Sequence, residues 1–134
     1  MPKVYLNPTK KVLVMEFIDG YHIDEIDKIK KAGINSKKMG KSFSKMITKM
    51  IHKEGFVHAD PHAGNLMVRK YKDQDQLVIL DHGLYQVMDK GLVRNYNEFW
   101  LGLILNDPSF YEKGGRALGT TNPKMLCQML TSKS

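Results

Sequence analysis

The feature that most constrains this chain is the string HADPHAGN, His58 to Asn65, together with a later carboxylate, Asp81, in the run VILDHG. A phosphoryl-transfer site needs a carboxylate near the substrate hydroxyl, an amide oxygen on a divalent metal, and a second carboxylate that bridges this metal to the phosphates. In the kinase arrangement the asparagine follows the catalytic aspartate by five residues. The metal-binding aspartate lies further downstream, and one residue separates it from a glycine. Asp60, Asn65, Asp81 and Gly83 have this spacing. We therefore expect Asp60 and Asn65 to be catalytic, and Asn65 and Asp81 to bind the metal.

Helix and strand signals on both sides place the string on a loop. Upstream, apolar residues at helical spacing predict an amphipathic helix with Ser36 as its N-cap and Gly55 just after its end. Its stripe consists of Phe43, Met46, Ile47, Met50 and Ile51. Downstream, Leu66 to Val68 and Leu77 to Leu80 are short apolar runs around a polar loop, a pattern typical of a β-hairpin.

The remaining apolar patterns predict further helices. One short helix should end at Gly33, two others should cover about 108–118 and 123–130, and a longer one should end near Asn106. The longer helix carries a stripe that we interpret as core packing: Leu92, Tyr96, Phe99, Trp100, Leu103 and Ile104. Gly114 and Gly115 lie too far downstream for a phosphate loop, so we expect a turn or a helix end there. The fold class predicted is α+β, mostly helical, with one small β-hairpin carrying the catalytic and metal-binding loops.

Composition agrees with one small globular domain. The chain has 134 residues, of which 42% are hydrophobic and 26% charged, enough for a core. No apolar run approaches the length of a membrane span, and no secretory signal opens the chain. Cys127 is the sole cysteine, which excludes an internal disulfide and a cysteine-rich zinc site.

The net charge of +7 is partly concentrated in a lysine ridge, one residue every fourth position on the predicted amphipathic helix. This ridge consists of Lys37, Lys41, Lys45, Lys49 and Lys53. An amphipathic helix must expose a polar face, so a solvated surface is the first interpretation. An anionic membrane surface is the functional partner that the ridge favours, because each surface lysine adds about 1 kcal/mol of attraction to anionic lipid. Nucleic acid is not expected, since aromatic residues are not interleaved with these lysines.

The histidines permit a different enzyme class. His58, Asp60 and His62 fall on one face of an extended stretch, and two histidines with one carboxylate form a common catalytic zinc or iron set. A metallohydrolase is therefore an alternative, although this class of enzyme gives no role to Asn65. For His58 and His62 we favour a bracing role in the loop through backbone hydrogen bonds. For His82 we favour a packed position.

These residues resemble the aarF-domain (ABC1, UbiB-like) family of atypical protein kinases, whose catalytic segment has the form His-x-Asp-Pro-His-Pro-Gly-Asn. Ala63 stands where that family usually has proline. The tract LDHGLYQ, Leu80 to Gln86, is similar to a mitochondrial branch in which Asp-His-Gly replaces Asp-Phe-Gly. The run VLVMEFIDG, Val12 to Gly20, resembles the family's inter-lobe hinge, and GFVHADPHAGNLMVRK, Gly55 to Lys70, continues the match.

The resemblance implies a protein-kinase-like C-terminal lobe at 11–134 after a short lead-in at 1–10. It implies ATP and Mg²⁺ as cofactors, with Glu16 and Ile18 of the hinge at the nucleotide. It also implies phosphoryl transfer or ATPase activity in a full-length parent, a mitochondrial location, and a link to lipid and coenzyme Q homeostasis. Residues 1–10 contain neither a glycine-rich loop nor room for an N-terminal lobe. We therefore expect a C-lobe fragment that is inactive alone, with a non-catalytic pseudokinase-type binding module as the alternative.

Overall fold

The computed structural model describes residues 1–5 and 11–131, which form a mixed fold in which helices predominate. The strands are β1 (Tyr21–His22), β2 (Phe56–His58), β3 (Leu66–Tyr71), β4 (Gln74–Ile79) and β5 (Tyr85–Val87). The α-helices are α1 (Ile26–Lys31), α2 (Ser36–Lys49), α3 (Lys90–Leu105), α4 (Pro108–Ala117) and α5 (Pro123–Thr131). In the described part of the chain, no helix is both long enough and apolar enough to cross a membrane.

The chain divides into two compact units. The first comprises Met1–Ile47 and His58–Tyr85, and the second comprises Thr48–Val57 and Gln86–Ser134. Strands β1, β3 and β4 form an antiparallel sheet in the order β1-β3-β4, while β2 pairs with β5. The strand content therefore exceeds the single hairpin that the sequence predicts.

The β3–β4 hairpin is longer and tighter than expected. Leu66 pairs with Ile79 and Tyr71 pairs with Gln74, which leaves a loop of only Lys72 and Asp73. Both loop residues have positive φ, 48° and 60°, as a two-residue turn compatible with strand twist requires. Cross-strand pairing continues up to the turn, so the polar residues beside the turn belong to the strand ends. A hydrophobicity pattern alone does not reveal this pairing.

The core of the first unit lies between this sheet and the helices α1 and α2. Ile29, Ile34, Met39 and Val68 form its central cluster. Leu66, Val68 and Val78 are each only 1% exposed. Alternate residues of β3 therefore face the core, and this fixes the register of the strand that follows Asn65.

Helix α2 begins and ends in an unexpected way. Asn35, not Ser36, supplies the cap, since its Oδ1 accepts a hydrogen bond of 2.9 Å from Lys38 N. The α-helix stops at Lys49 and continues as one π-helical turn, Met50–Glu54. Gly55 then ends it as predicted, in the left-handed conformation with φ of 63°.

In the second unit, α3 and α4 pack closely because glycines face a neighbouring backbone. A Cβ on Gly102 would lie 2.3 Å from Tyr111 N, and one on Gly114 would lie 2.5 Å from Phe99 N. Gly114 and Gly115 are buried and lie in the last turn of α4, so the predicted helix end is correct and the predicted turn is not. The π-helical turn is held in this unit by a hydrogen bond of 2.6 Å between His52 Nδ1 and Asn97 Oδ1.

Candidate active site

His58 is the buried centre of the candidate site, with 3% of its surface exposed. Its Nδ1 accepts a hydrogen bond of 3.1 Å from Asp60 N. The proton must then lie on Nε2, which donates to Asp81 O at 2.9 Å. The predicted bracing role of His58 is thereby confirmed, because one imidazole joins the main chains of both aspartates.

Asn65 is held in the same unit by contacts on both sides. Its Nδ2 donates to Asp60 O at 3.3 Å, and its own carbonyl accepts from Leu80 N at 2.9 Å. Asn65 ends a 3-10 turn, Ala63–Asn65. His62 caps this turn, because its Nδ1 accepts a hydrogen bond of 3.1 Å from Gly64 N. His62 therefore also braces the loop, as predicted. Since the amide nitrogen of Asn65 is used, the side-chain oxygen is the atom left for a ligand.

The carboxylates of Asp60 and Asp81 are both exposed. Asp81 Oδ1 accepts a hydrogen bond of 2.7 Å from Gly83 N, which fixes the side chain within the Asp-His-Gly turn. Asp60 Oδ2 lies 3.7 Å from His62 Nε2. The three residues that the sequence singles out are thus anchored to one another through the main chain, and their oxygens remain accessible.

His82 packs against Tyr85, as predicted, but it also lines a cavity that includes Asp81. Its ring stacks on Tyr85 with an interplanar angle of 5° and a centroid separation of 5.8 Å. Its Nε2 donates to Ile79 O at 3.2 Å, so its Nδ1 accepts from the Tyr85 hydroxyl at 2.7 Å. Burial raises the pKa of Tyr85 and thereby favours the protonated hydroxyl that this hydrogen bond needs.

The donor set fits Mg²⁺ better than zinc. Asn65 and Asp81 offer oxygen ligands, which hard divalent cations prefer. The rival set of His58, Asp60 and His62 does not assemble, because both ring nitrogens of His58 are engaged with backbone groups. Across residues 1–5 and 11–131, no group of three or more His, Cys, Asp or Glu side chains is placed to hold a metal ion. The metallohydrolase alternative therefore has no structural support.

The segment Val12–Gly20 lies in the first unit. Residues on one face of this segment line a cavity next to Asp81. Leu13 and Met15 line a cavity of about 580 Å³ together with Asp81. The side chains of Glu16 and Ile18 do not line it: the Glu16 carboxylate pairs with Arg69, and Ile18 is buried. The alternation of Leu13 and Met15 in an extended stretch is the signal that could have identified them from the sequence.

The fold and the order of these residues fit a kinase-like domain, and comparison with known proteins identifies its family. The family model for the ABC1 atypical kinase-like domain matches residues 1–112, and the chain belongs to this family. No solved structure matches the chain.

Curated relatives agree with the family assignment. The chain is 37% identical to AarF domain-containing protein kinase 1 of Gallus gallus over its whole length, which covers 27% of that protein. It is 38% identical to the protein of the same name from Mus musculus, over 94% of the chain and 25% of the relative. An ABC1 protein of Arabidopsis thaliana is 41% identical over 88% of the chain and 24% of the relative. The chain thus spans about a quarter of the length of these relatives.

Proposed function

We propose that this chain forms part of an Mg-ATP-dependent phosphoryl-transfer site in an atypical kinase or ATPase. The observation that carries the proposal is the pair of hydrogen bonds from buried His58 to Asp60 N and Asp81 O. A histidine satisfied in this way needs no metal of its own. Its geometric effect is to hold the two aspartates at fixed positions on loops, with accessible carboxylates.

The chemistry assigns one task to each residue. Asn65 Oδ1 and Asp81 Oδ2 would hold Mg²⁺, which when bound neutralises phosphate charge. Asp60, whose carboxylate is exposed and not involved in metal binding in this proposal, would orient or deprotonate the acceptor hydroxyl or water. His58 touches no reacting atom and acts as a positioning residue for both aspartates.

The cavity beside Asp81 is where we propose that the nucleotide binds. Its lining combines apolar residues, including Leu13 and Met15, with Asp81 and His82. Ligand sites commonly join an apolar enclosure to a few polar groups in this way. Neither Glu16 nor Ile18 lines this cavity, and Glu16 N already donates to Lys3 O at 2.7 Å, so the cavity adds no support to the role that the resemblance implies for them at the nucleotide.

Paramagnetic NMR tests the metal assignment on the chain as it stands. Mn²⁺ replaces Mg²⁺ and broadens the amide signals of nearby residues, so Mn²⁺ with ATP should broaden residues around Asn65 and Asp81. Asp81→Asn should abolish this selective broadening. Asp73→Asn is the matched control, because it removes an exposed carboxylate at the hairpin turn. Equal broadening around Asp73 and Asp81, or broadening that survives Asp81→Asn, would overturn the proposal.

A second substitution separates an enzyme from a binding module. Asp60→Asn should leave the Mn²⁺-dependent broadening intact, because Asp60 is not a proposed metal ligand. In the longer protein it should abolish turnover while nucleotide binding persists. Turnover unaffected by Asp60→Asn would reject the role assigned to Asp60. A longer protein that binds nucleotide but shows no turnover would instead favour the pseudokinase-type binding module.

The cellular role that we propose for the longer protein follows from the family. It comprises a mitochondrial function in lipid or coenzyme Q homeostasis. The lysine ridge supports docking on an anionic membrane surface, because all five of its lysines are exposed. Among the ion pairs of residues 1–5 and 11–131, one involves the ridge, between Lys49 and Glu54 at 3.5 Å.

A further inference from the structure

A second cavity, of about 360 Å³, opens in the first unit and includes none of the proposed catalytic or metal-binding residues. Its floor is one face of the sheet, formed by Leu66, Val68 and the cross-strand partner of Val68, Leu77. Helix α1 contributes Ile26, Ile29 and Lys30, and α2 contributes Ser36, Met39, Gly40 and Phe43. The volume lies within the range of small-molecule sites, about 300–1,000 Å³.

The lining of this cavity is apolar except at two side chains. Ile23, Ile26 and Phe43 complete an aliphatic and aromatic wall, while Lys30 and Ser36 are the polar side chains. Ile26 remains 54% exposed, whereas Leu66 and Val68 on the floor are each 1% exposed, so solvent reaches the cavity on the α1 side and not the core beneath it. A ligand with polar groups along its length would leave them without partners here, at a cost in free energy.

Among the described residues, the one charged side chain that lines the cavity is basic, Lys30. No carboxylate lines it, and Lys30 makes no ion pair within the described residues. Lys37 and Lys41 follow the lining residues Ser36 and Gly40 along α2, and both are exposed. An apolar ligand with a single anionic end would therefore match both the wall and the lysines.

We propose that this cavity binds a single-chain anionic amphiphile of the fatty-acid class, with its hydrocarbon chain against α1, α2 and the sheet and its carboxylate paired with Lys30. A peptide segment fits less well, because its backbone donors and acceptors would meet a wall with almost no polar partners. The site is independent of the proposed phosphoryl-transfer site. Its test therefore stands whether or not the chain binds nucleotide.

Titration of the chain with dodecanoate below its micelle concentration tests the site. Calorimetry should show saturable binding with one ligand per chain, and the methyl signals of Ile26 and Ile29 should shift in NMR spectra. Dodecanol, which has the same chain without the charge, should bind about tenfold more weakly. Lys30→Gln should remove this difference, whereas Lys45→Gln, on α2 but outside the lining, should leave it unchanged.

Gly40→Leu provides a blocking variant that is expected to fold. A Cβ at Gly40 meets no atom within 4 Å, and leucine is a better helix former than glycine. The variant should melt no lower than the wild type and should lose dodecanoate binding at least tenfold. Undiminished binding to Gly40→Leu, non-saturable binding, or equal affinity for dodecanol would overturn the proposal. So would an acidic apolar peptide that shifts the same methyl signals when dodecanoate does not.

Discussion

The carboxylate of Glu16 lies 2.6 Å from Arg69 Nη1 and ties the segment Val12–Gly20 to strand β3. Arg69 is itself fixed by a hydrogen bond of 2.7 Å from Nε to Gln76 Oε1, and its guanidinium lies 4.7 Å from the centre of the Tyr71 ring. The segment that lines the Asp81 cavity is therefore held by a planar, pre-oriented cation. Sequence spacing gave no hint of this pair, because 53 positions separate the two residues.

The Glu16–Arg69 pair predicts how stability responds to acid. The hydrogen bond from Arg69, and secondly that from Lys3 N, lower the pKa of Glu16 below its ordinary value. A lowered folded-state pKa stabilises the protein above the unfolded-state pKa, and this contribution disappears as the pH falls through the folded-state pKa. Glu16→Gln should therefore lower the melting temperature at neutral pH and make little difference in strong acid.

The control for this experiment is Glu112→Gln, which changes an exposed glutamate on α4. It should leave the melting temperature nearly unchanged across the same pH range. Thermal melts followed by circular dichroism would measure both variants. A neutral-pH effect of Glu16→Gln no larger than that of Glu112→Gln would show that the pair contributes nothing to stability.

A second prediction concerns the bracing histidines. His58→Phe keeps an aromatic ring but leaves Asp60 N and Asp81 O without their partner, at a cost of about 1–3 kcal/mol per unsatisfied group. Hydrogen exchange of the Asp60 amide should accelerate markedly. His62→Ala should accelerate exchange at Gly64 and cost little stability, because His62 is exposed. Unchanged exchange at Asp60 in His58→Phe would contradict the assigned role.

Local signals were sufficient for most helix ends. Asp89 caps α3 by accepting a hydrogen bond of 2.9 Å from Leu92 N, and Asn106 ends it in the left-handed conformation with φ of 55°. Pro108 then begins α4, as its missing N–H and fixed φ allow. The end of α3 near Asn106 and the start of α4 at Pro108 depend on residues within one turn of each other, which is why the sequence predicts them. The start of α3 at Asp89 is not among the predictions.

Features that depend on distant contacts were not predictable in the same way. No residue pattern within Met50–Glu54 indicates a π-helical turn. The glycines of α4 predict a turn or a helix end, but their close packing against α3 follows only from the tertiary fold. Asp60, Asn65 and Asp81 were found because their order follows a chemical motif, whereas Leu13, Met15 and Arg69 acquire their positions only through the tertiary fold.

A glycine-to-alanine substitution should have opposite effects on stability at different positions, depending on whether the glycine faces a neighbouring backbone. Gly102→Ala and Gly114→Ala should each destabilise the second unit by about 1–3 kcal/mol, since the added methyl group meets backbone that cannot move aside cheaply. Gly40→Ala, in open space on α2, should stabilise by about 0.5–1 kcal/mol. Urea unfolding followed by circular dichroism would measure all three. A stabilising Gly114→Ala would show that the helices can separate without cost.

The lysine ridge predicts salt-sensitive membrane binding. Replacing Lys37, Lys41 and Lys45 by glutamine should reduce co-sedimentation with anionic liposomes, because each lysine contributes about 1 kcal/mol of attraction. Raising the salt concentration should have the same effect as the substitutions. Neutral liposomes and the melting temperature of the triple variant are the controls. Binding that is insensitive to both salt and substitution would leave the ridge as ordinary solvated surface.

The last prediction concerns association through the extended segment at Val12–Phe17. Part of its edge is covered, because Tyr5 N donates to Val14 O at 3.0 Å and Glu16 N donates to Lys3 O at 2.7 Å. Its side chains are not covered: Phe17 is 89% exposed, and Leu13 is 54% exposed. A contiguous exposed apolar surface favours association in water, so we expect oligomers whose size grows with concentration in light scattering. Phe17→Ser should shift them toward monomer, whereas Met129→Gln, which removes a comparably exposed apolar side chain from α5, should not. Equal effects of the two substitutions would mean that association does not depend on this segment.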